Sequence, residues 1–366
     1  MSKSKKGNSN SLFKFAIIPI VLGVLYPLWR TIQVNDPVLF FLPNLLLFTP
    51  FRETTRSLWN ALVTIDKTKP IEPRHVPVIE AKDYTVEKLR EATENWRYPA
   101  IVRGLFKGTP AEKKWPTKEY FPSRIGKFQI PVVHNAIVGK VQNNRSVMPF
   151  EEAFADIMDH DYSTTYLFFP VQSRFNFNGS DAGSLKKLQL EVNDIVRNDL
   201  DLDRIWKGFG TSAHSSYFGS QLIIGRGTND SDHTTGTGWH CAAGNNWFAQ
   251  VVGTKRWYFL DPKYSAYMYP LRGGKVNMMT GNKEMGELQQ YLPLRYADVH
   301  AGDLLYNPDW EWHTIKNYEG LSIGVPIREV NFTLSLQNNL QYSSIILINK
   351  ALEKVNLDIG GYPPAK

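Results

Sequence analysis

Two histidines carry the chemistry that this chain offers most plainly. His240 lies in TGTGWHCAAGNNWFAQVVGTKRWYFLDP, which begins at Thr235, and His313 lies in GDLLYNPDWEWHTIKN. One precedes a polar turn and the other follows a Pro-containing loop. Imidazole is the commonest protein ligand for a metal, so two such rings on separate strands point to a metal site inside a β-barrel. Residues i and i+2 of a strand share a face. His240 and position 242 therefore point the same way, and Cys241 points to the other side. Non-haem iron sites of the facial type use two histidines and one carboxylate on one face, leaving other positions open. Position 242 is alanine, so the two imidazoles are supplied and the carboxylate is missing. Taken singly, each histidine also reads as a satisfied core residue. Lys255 sits among Trp247, Phe248, Trp257 and Phe259, where an unpaired ammonium is costly, so an anionic partner is expected; otherwise it is a surface lysine on an edge strand.

The elements that must position these residues follow from their pattern. From Ser216 onward short strands dominate: SYFGSQLIIGRG, GWHCA, NWFAQVVG, KRWYFLD, DLLYNP, HTIKN and LSIGV. Turn residues punctuate them at the interval of a sandwich or barrel. Ahead of them come an amphipathic helix (YTVEKLREATENW), a buried strand (PAIVRG), strands in KFQIPVVHNAIVGKVQ, a helix in PFEEAFADIMDHD, a strand (TTYLFFPVQ) and a helix (LKKLQLEVNDIVRNDL). The tail after Gln337 returns to helix. The expected fold is mainly β, a double-stranded β-helix or jelly roll with a helical N-terminal elaboration and a C-terminal helix. The domain is expected over 77–336, with the helical tail over 337–366.

The stretch from Pro99 to about Phe332 resembles the JmjC/cupin-like (cupin-8) family of Fe(II)- and 2-oxoglutarate-dependent oxygenases, nearest to its asparaginyl- and small-protein-hydroxylase branch. PAIVRG, WHCAAGNNWFAQVVGTKRWYFLDP and GDLLYNPDWEWH carry the resemblance, with Asn246, Phe248, Gln250, Gly253 and Lys255 at family spacing behind His240. It implies His240 and His313 as the metal ligands and Lys255 as the partner of the far carboxylate of 2-oxoglutarate. Thr237 matches a hydroxyl that helps that lysine, and Asn246 and Asn331 match asparagines lining the oxoglutarate pocket. The departure is Ala242. Three readings of it stay open: a halide or water takes the vacated position, as in the iron/oxoglutarate halogenases; two histidines and oxoglutarate hold the metal for hydroxylation; or the barrel binds a ligand without catalysis. Asp230, Asp232, Asp309 and Glu311 read as loop carboxylates and His233 as a solvated loop residue.

The formal charge of +7 is not a nucleic-acid signature, because of where it lies. Up to His75 there are ten Lys and Arg against four acids, so the remainder is nearly neutral. That excess flanks apolar segments, which points to a membrane and no nucleic acid. Residues 1–12 read as a basic disordered tail, and 13–30 as a transmembrane anchor around FAIIPIVLGVLYPLW. A juxtamembrane connector spans 31–76, with an interfacial segment at 38–48 that is interrupted by Pro43 and Asn44. Lysines on the N-terminal side predict a cytoplasmic N-terminus and a lumenal body of ER/Golgi type. Sequons at Asn144, Asn178 and Asn229 agree with that orientation. A single cysteine excludes an internal disulfide framework. The substrate, protein or small molecule, is not written in the sequence.

Overall fold

The computed structural model describes residues 65–137, 145–170, 182–203, 216–228, 234–272, 277–318, 320–339 and 342–343. The expected anchor, the interfacial segment, the asparagines of the three sequons, His233 and most of the C-terminal tail lie outside the described residues. Among the described residues, no helix is long and apolar enough to cross a membrane.

The domain opens with β1 (Arg74–His75) and β2 (Val78–Glu80), then α1 (Val86–Ala92) and β3 (Ala100–Arg103). Helices α2 (Pro110–Lys114) and α3 (Tyr120–Ile125) follow, then β4 (Gln129–Val133) and β5 (Arg145–Pro149). Next come α4 (Phe150–Asp159), β6 (Tyr166–Phe169) and α5 (Ala182–Asp199). Local chemistry sets these elements. Thr85 caps α1 by accepting from the Lys88 N–H at 3.1 Å. In α4, Phe150, Ala153, Phe154 and Ile157 are buried at helical spacing, which lays one apolar stripe against the sheet.

The strands that build the site come later. They are β7 (Ser216–Ser220), β8 (Leu222–Gly227), β9 (Gly236–Ala242), β10 (Asn245–Val252) and β11 (Lys255–Leu260). After α6 (Ser265–Met268) come β12 (Pro270–Arg272), β13 (Asn277–Thr280) and α7 (Met285–Leu288). The last strands are β14 (Arg295–Val299), β15 (Leu304–Asn307), β16 (Trp312–Asn317) and β17 (Gly320–Val330), followed by α8 (Phe332–Asn338).

Among the described residues these strands form two sheets. One has seven strands in the order β1-β14-β11-β16-β9-β13-β12. The other runs β2-β3-β15-β10-β17-β8-β6-β4-β5, with β7 also paired to β17. Alternation gives each strand an inner and an outer face. Trp257, Phe259, Ala297, Val299 and Ile315 from the first sheet meet Tyr166, Ile223, Phe248 and Leu305 from the second in one inner core. Phe248 and Trp257 touch edge to face across the gap, 5.0 Å between centroids. The outer face of the second sheet, including Trp247, Ala249, Leu304 and Tyr306, is covered by the N-terminal helices. The outer face of the first sheet carries a separate core around Trp239, Cys241, Trp310 and Trp312. This mainly β, two-sheet arrangement is compatible with the expected jelly roll.

Two departures from expectation follow from how β17 is paired. SYFGSQLIIGRG is not one strand but two, broken at Gln221, and LSIGV extends to Val330. Ile327 pairs with Ser220 and Gly324 with Ile223, which sets Pro326 opposite Gln221. Proline has no N–H to give the ladder, so the pairing breaks at Gln221 and resumes on the far side as β7. Pairing with β10 and β7 keeps β17 extended beyond the point where the apolar alternation ends.

Candidate metal and anion site

The two histidines are brought together. β9 and β16 are antiparallel neighbours in which His313 stands directly opposite His240, and the ring centroids are 4.2 Å apart. Each ring is held through Nδ1, which donates to the carbonyl of Gly238 in His240 and of Glu311 in His313, both at 2.8 Å. A carbonyl only accepts, so the proton sits on Nδ1 and Nε2 keeps its lone pair. That is the tautomer a metal-ligating histidine needs, fixed by the partner behind it. Burial opposes protonation of both rings: His240 is pushed down to about 4 and His313 falls well below its ordinary value. Trp257 stacks on His313 at 5.3 Å and fixes its plane.

The third position of a facial site is vacant of donors. Ala242 ends β9 on the same face as His240, and among the described residues no group of three or more His, Cys, Asp or Glu side chains can hold a metal. Asp309 and Glu311 do not substitute. Both are almost fully buried. Asp309 accepts from the Gly244 N–H and from Ser335 Oγ, and Glu311 lies 3.7 Å from Arg295. Burial raises the pKa of both carboxyls, Asp309 to about 7.

Lys255 is deeper in the same barrel. On β11 it shares the inner face with Trp257 and Phe259, and its neighbour on β16 is Asn317. The side chain is fully buried. Its Nζ donates to Asn317 Oδ1 and lies over the Tyr166 ring, 5.8 Å from the centroid. Asn317 in turn donates to Thr235 Oγ1 at 2.6 Å. One neutral acceptor is little for an ammonium with three donors, and desolvation depresses its pKa to about 7. Around it the hydroxyls of Tyr166 and Thr237 are buried without a hydrogen-bond partner. Gly225 on β8 makes this cradle: a Cβ there would sit 2.6 Å from Tyr166 Cδ2 and 2.9 Å from Thr235 Oγ1.

A row of polar side chains crosses the second sheet at the level of the histidines. Asn307, Asn246 and Arg328 are register partners on β15, β10 and β17 and therefore share the inner face. Asn307 Nδ2 lies 3.4 Å from His313 Nδ1. The side-chain oxygens of Asn246 and Asn307 are buried and unpartnered. Asn331 is placed elsewhere: it follows β17 and caps α8, its Oδ1 accepting from the Leu334 N–H at 3.2 Å. It is therefore not on a buried strand.

The two-sheet barrel, its paired histidines and the buried lysine are joined by a family match, the cupin-like domain, over residues 87–327. The chain belongs to the cupin-like domain family. A comparison with curated proteins returns no match. The match covers about two-thirds of the chain and takes in every strand from β3 to β16.

For this cupin-like domain, the donor set among the described residues fits two coordination positions of a divalent transition metal. The resemblance had grouped Thr237, His240, Asn246, Lys255 and His313; the structure sets His240, Asn246, Lys255 and His313 on inner faces, and a register shift between His313 and Ile315 brings Thr237 opposite the inner-core Ile315. Sequence reading had missed Tyr166, Asn307, Asn317 and Arg328. Asn317 was within reach, being two steps of strand alternation beyond His313. Tyr166 carries no local signal, and Arg328 lies past the point where the alternation stops.

Proposed function

We propose that this cupin-like domain is a hydroxylase-type Fe(II)- and 2-oxoglutarate-dependent oxygenase with an atypical His-x-Ala…His centre. His240 and His313 would hold the metal through Nε2, and Lys255 would pair with the far carboxylate of 2-oxoglutarate. The observation that carries this reading is the convergence, in one barrel, of two neutral Nε2 lone pairs and a buried ammonium with a single neutral acceptor. Bound Fe(II) and 2-oxoglutarate supply the dioxygen-dependent oxidation. The protein's own groups do the rest. Lys255, Tyr166 and Thr237 offer donors to a carboxylate; Phe248, Phe259 and Leu305 belong to the apolar inner core of the same barrel. A charge-assisted pair in such apolar surroundings is worth more than one at the surface. Loss of the carboxylate at position 242 weakens divalent binding, because a hard anionic donor contributes charge as well as geometry. That no third protein ligand is found among the described residues also supports a second reading, a catalytically inactive binding domain, and it leaves room for halogenase-type use of the open position.

The segment 13–30, with the positive charge before it, supports attachment of this domain to a membrane with the body on the lumenal side.

Purified full-length chain supplied with Fe(II), dioxygen and 2-oxoglutarate is expected to release succinate, and His240→Ala and Lys255→Met are each expected to abolish release. Ala242→Asp is expected to tighten Fe(II) binding by at least about tenfold. No succinate with or without chloride, together with no Fe(II) uptake, would leave the binding-domain reading.

A further inference from the structure

A cleft of about 530 Å³ opens on the outer side of the first sheet, away from the histidines and Lys255. Three tyrosines line it, Tyr264, Tyr267 and Tyr291, and its two charged groups are Asp66 and Lys69. Tyr264 closes the turn after β11, Tyr267 lies on α6 and Tyr291 closes the turn after α7, so three separate pieces of chain supply the rings. Those of Tyr264 and Tyr267 are 6.2 Å apart and inclined at 32°, as adjoining panels of one wall. The face of an aromatic ring attracts cations, and that of Tyr264 already draws Lys263 Nζ to 5.1 Å from its centroid. Asp66 Oδ1 accepts from the Thr68 N–H at 2.9 Å and from Thr68 Oγ1 at 2.6 Å. These hydrogen bonds hold its carboxyl below the ordinary value, so it is ionised at neutral pH. Lys67 beside it reaches Glu284 at 3.9 Å, but among the described residues no ion pair engages Asp66 or Lys69.

Aromatic faces beside a carboxylate suit a quaternary ammonium, which has no N–H to satisfy. A lysine a short reach away suits a phosphate. Together they complement a zwitterion that carries both groups. The position of the cleft names the source. Ile65 and Ile71 line it, and the Ile71 N–H donates to the Gln290 carbonyl at 2.8 Å and the Arg74 N–H to that of Leu294 at 2.9 Å. The connector is therefore pinned alongside the cleft. The apolar segments at 13–30 and 38–48 precede Ile65 in the chain, so on the attachment reading this side of the domain is tethered nearest the bilayer. Tyrosine is enriched at that boundary, where an apolar body and a polar tip are both satisfied.

We propose that this cleft seats the headgroup of a phosphatidylcholine molecule of the bilayer, its quaternary ammonium against Tyr264, Tyr267 and Tyr291 beside Asp66, and its phosphate on Lys69. The seat needs no metal and no turnover. Its lipid source rests on the membrane attachment proposed above; its chemistry rests on the cleft alone.

Full-length chain in a maltoside detergent is titrated by calorimetry with phosphocholine, choline and phosphoethanolamine. Phosphocholine is expected to bind, and phosphoethanolamine to bind about tenfold more weakly. Tyr264→Leu and Tyr267→Leu are each expected to weaken phosphocholine about tenfold, whereas Tyr264→Phe, which keeps the ring, binds like the parent. Lys69→Gln should weaken phosphocholine and leave choline unchanged; Asp66→Asn should weaken both. Where a leucine variant melts below the parent, the split between the two probes in Lys69→Gln decides. Nanodiscs identify the source: added phosphocholine is expected to bind chain held in phosphatidylglycerol discs and to be excluded in phosphatidylcholine discs, where the cleft is already filled. No phosphocholine binding in detergent, binding that the leucine variants leave unchanged, or equal affinity in the two kinds of disc would each overturn the proposal. A trimethyl-lysine peptide that binds more tightly than phosphocholine would overturn it in favour of a protein partner. Chain recovered apart from both kinds of disc would sink the attachment reading and the lipid source together, while chain held in the discs with an empty cleft sinks this proposal alone.

Discussion

At the scale of single residues, the decisive balance is between desolvation and pairing at Lys255. Burial of an ammonium costs several kcal/mol unless a charge or enough acceptors surround it, and Asn317 supplies one neutral acceptor. The consequence is a pH dependence with a definite sign. In the folded chain the pKa is near 7, below the ordinary 10.5. Between those values the unfolded chain holds a proton that the folded chain lacks, so stability rises with pH through that window and the full penalty is present below it. Lys255→Met is therefore expected to raise the melting temperature of ligand-free protein at about pH 7, by roughly 1–3 kcal/mol in stability, and to flatten the rise towards alkaline pH. Added 2-oxoglutarate should stabilise the parent and not the variant. A variant that melts below the parent at neutral pH would show that the ammonium is already well paired. The histidines follow the same logic lower on the scale. With His240 held near 4 against an ordinary 6.5, their contribution is present above the ordinary value and is lost as pH falls through that interval.

At the scale of elements, the site is a product of strand alternation and of where strands stop. β9, β11 and β16 place their histidines and lysine on inner faces; from sequence, alternation joined only His240 and Ala242, and the family resemblance brought His313 and Lys255 to the same site. β8 contributes by having no side chain at Gly225, where strand packing alone would favour a larger residue. Gly225→Ala is expected to push against Tyr166, Thr235 and Asn317 together, costing about 1–3 kcal/mol and weakening 2-oxoglutarate binding more than Fe(II) binding. Calorimetric titration of each ligand checks this, and an equal loss for both would place Gly225 outside the lysine cradle. β17 is the element whose reading changed most. Apolar alternation ends at Val325, yet hydrogen bonding to β10 and β7 carries the strand to Val330. That extension brings Arg328 into the barrel and leaves Asn331 to cap α8.

At the scale of the whole molecule, a nearly neutral cupin-like domain follows a basic, apolar N-terminal region. The orientation proposed from that charge puts the sequons at Asn144, Asn178 and Asn229 in an oxidising, glycosylating compartment. Expression of the full chain in cells with a secretory pathway is expected to give a product whose gel mobility increases on treatment with an N-glycosidase. An unchanged mobility for a chain recovered in the membrane fraction would count against a lumenal body. The single cysteine, Cys241, is buried in the outer core of the first sheet, and burial raises its pKa well above the ordinary value, so it behaves as a small apolar residue in either compartment.

What the sequence determined alone is whatever depends on spacing along one strand or on the identity of one residue. The mainly β class, the common face of His240 and Ala242, the missing carboxylate and the costly lysine were all legible because alternation and desolvation act locally. What only the tertiary structure decided depends on pairing between distant strands. The opposition of His313 to His240, the Tyr166 and Asn317 surroundings of Lys255, and the alignment of Arg328 with Asn246 and Asn307 come from hydrogen-bonded register. Register is set by the whole ladder and by a proline at position 326 that interrupts it, and no window of sequence contains both partners of such a pair.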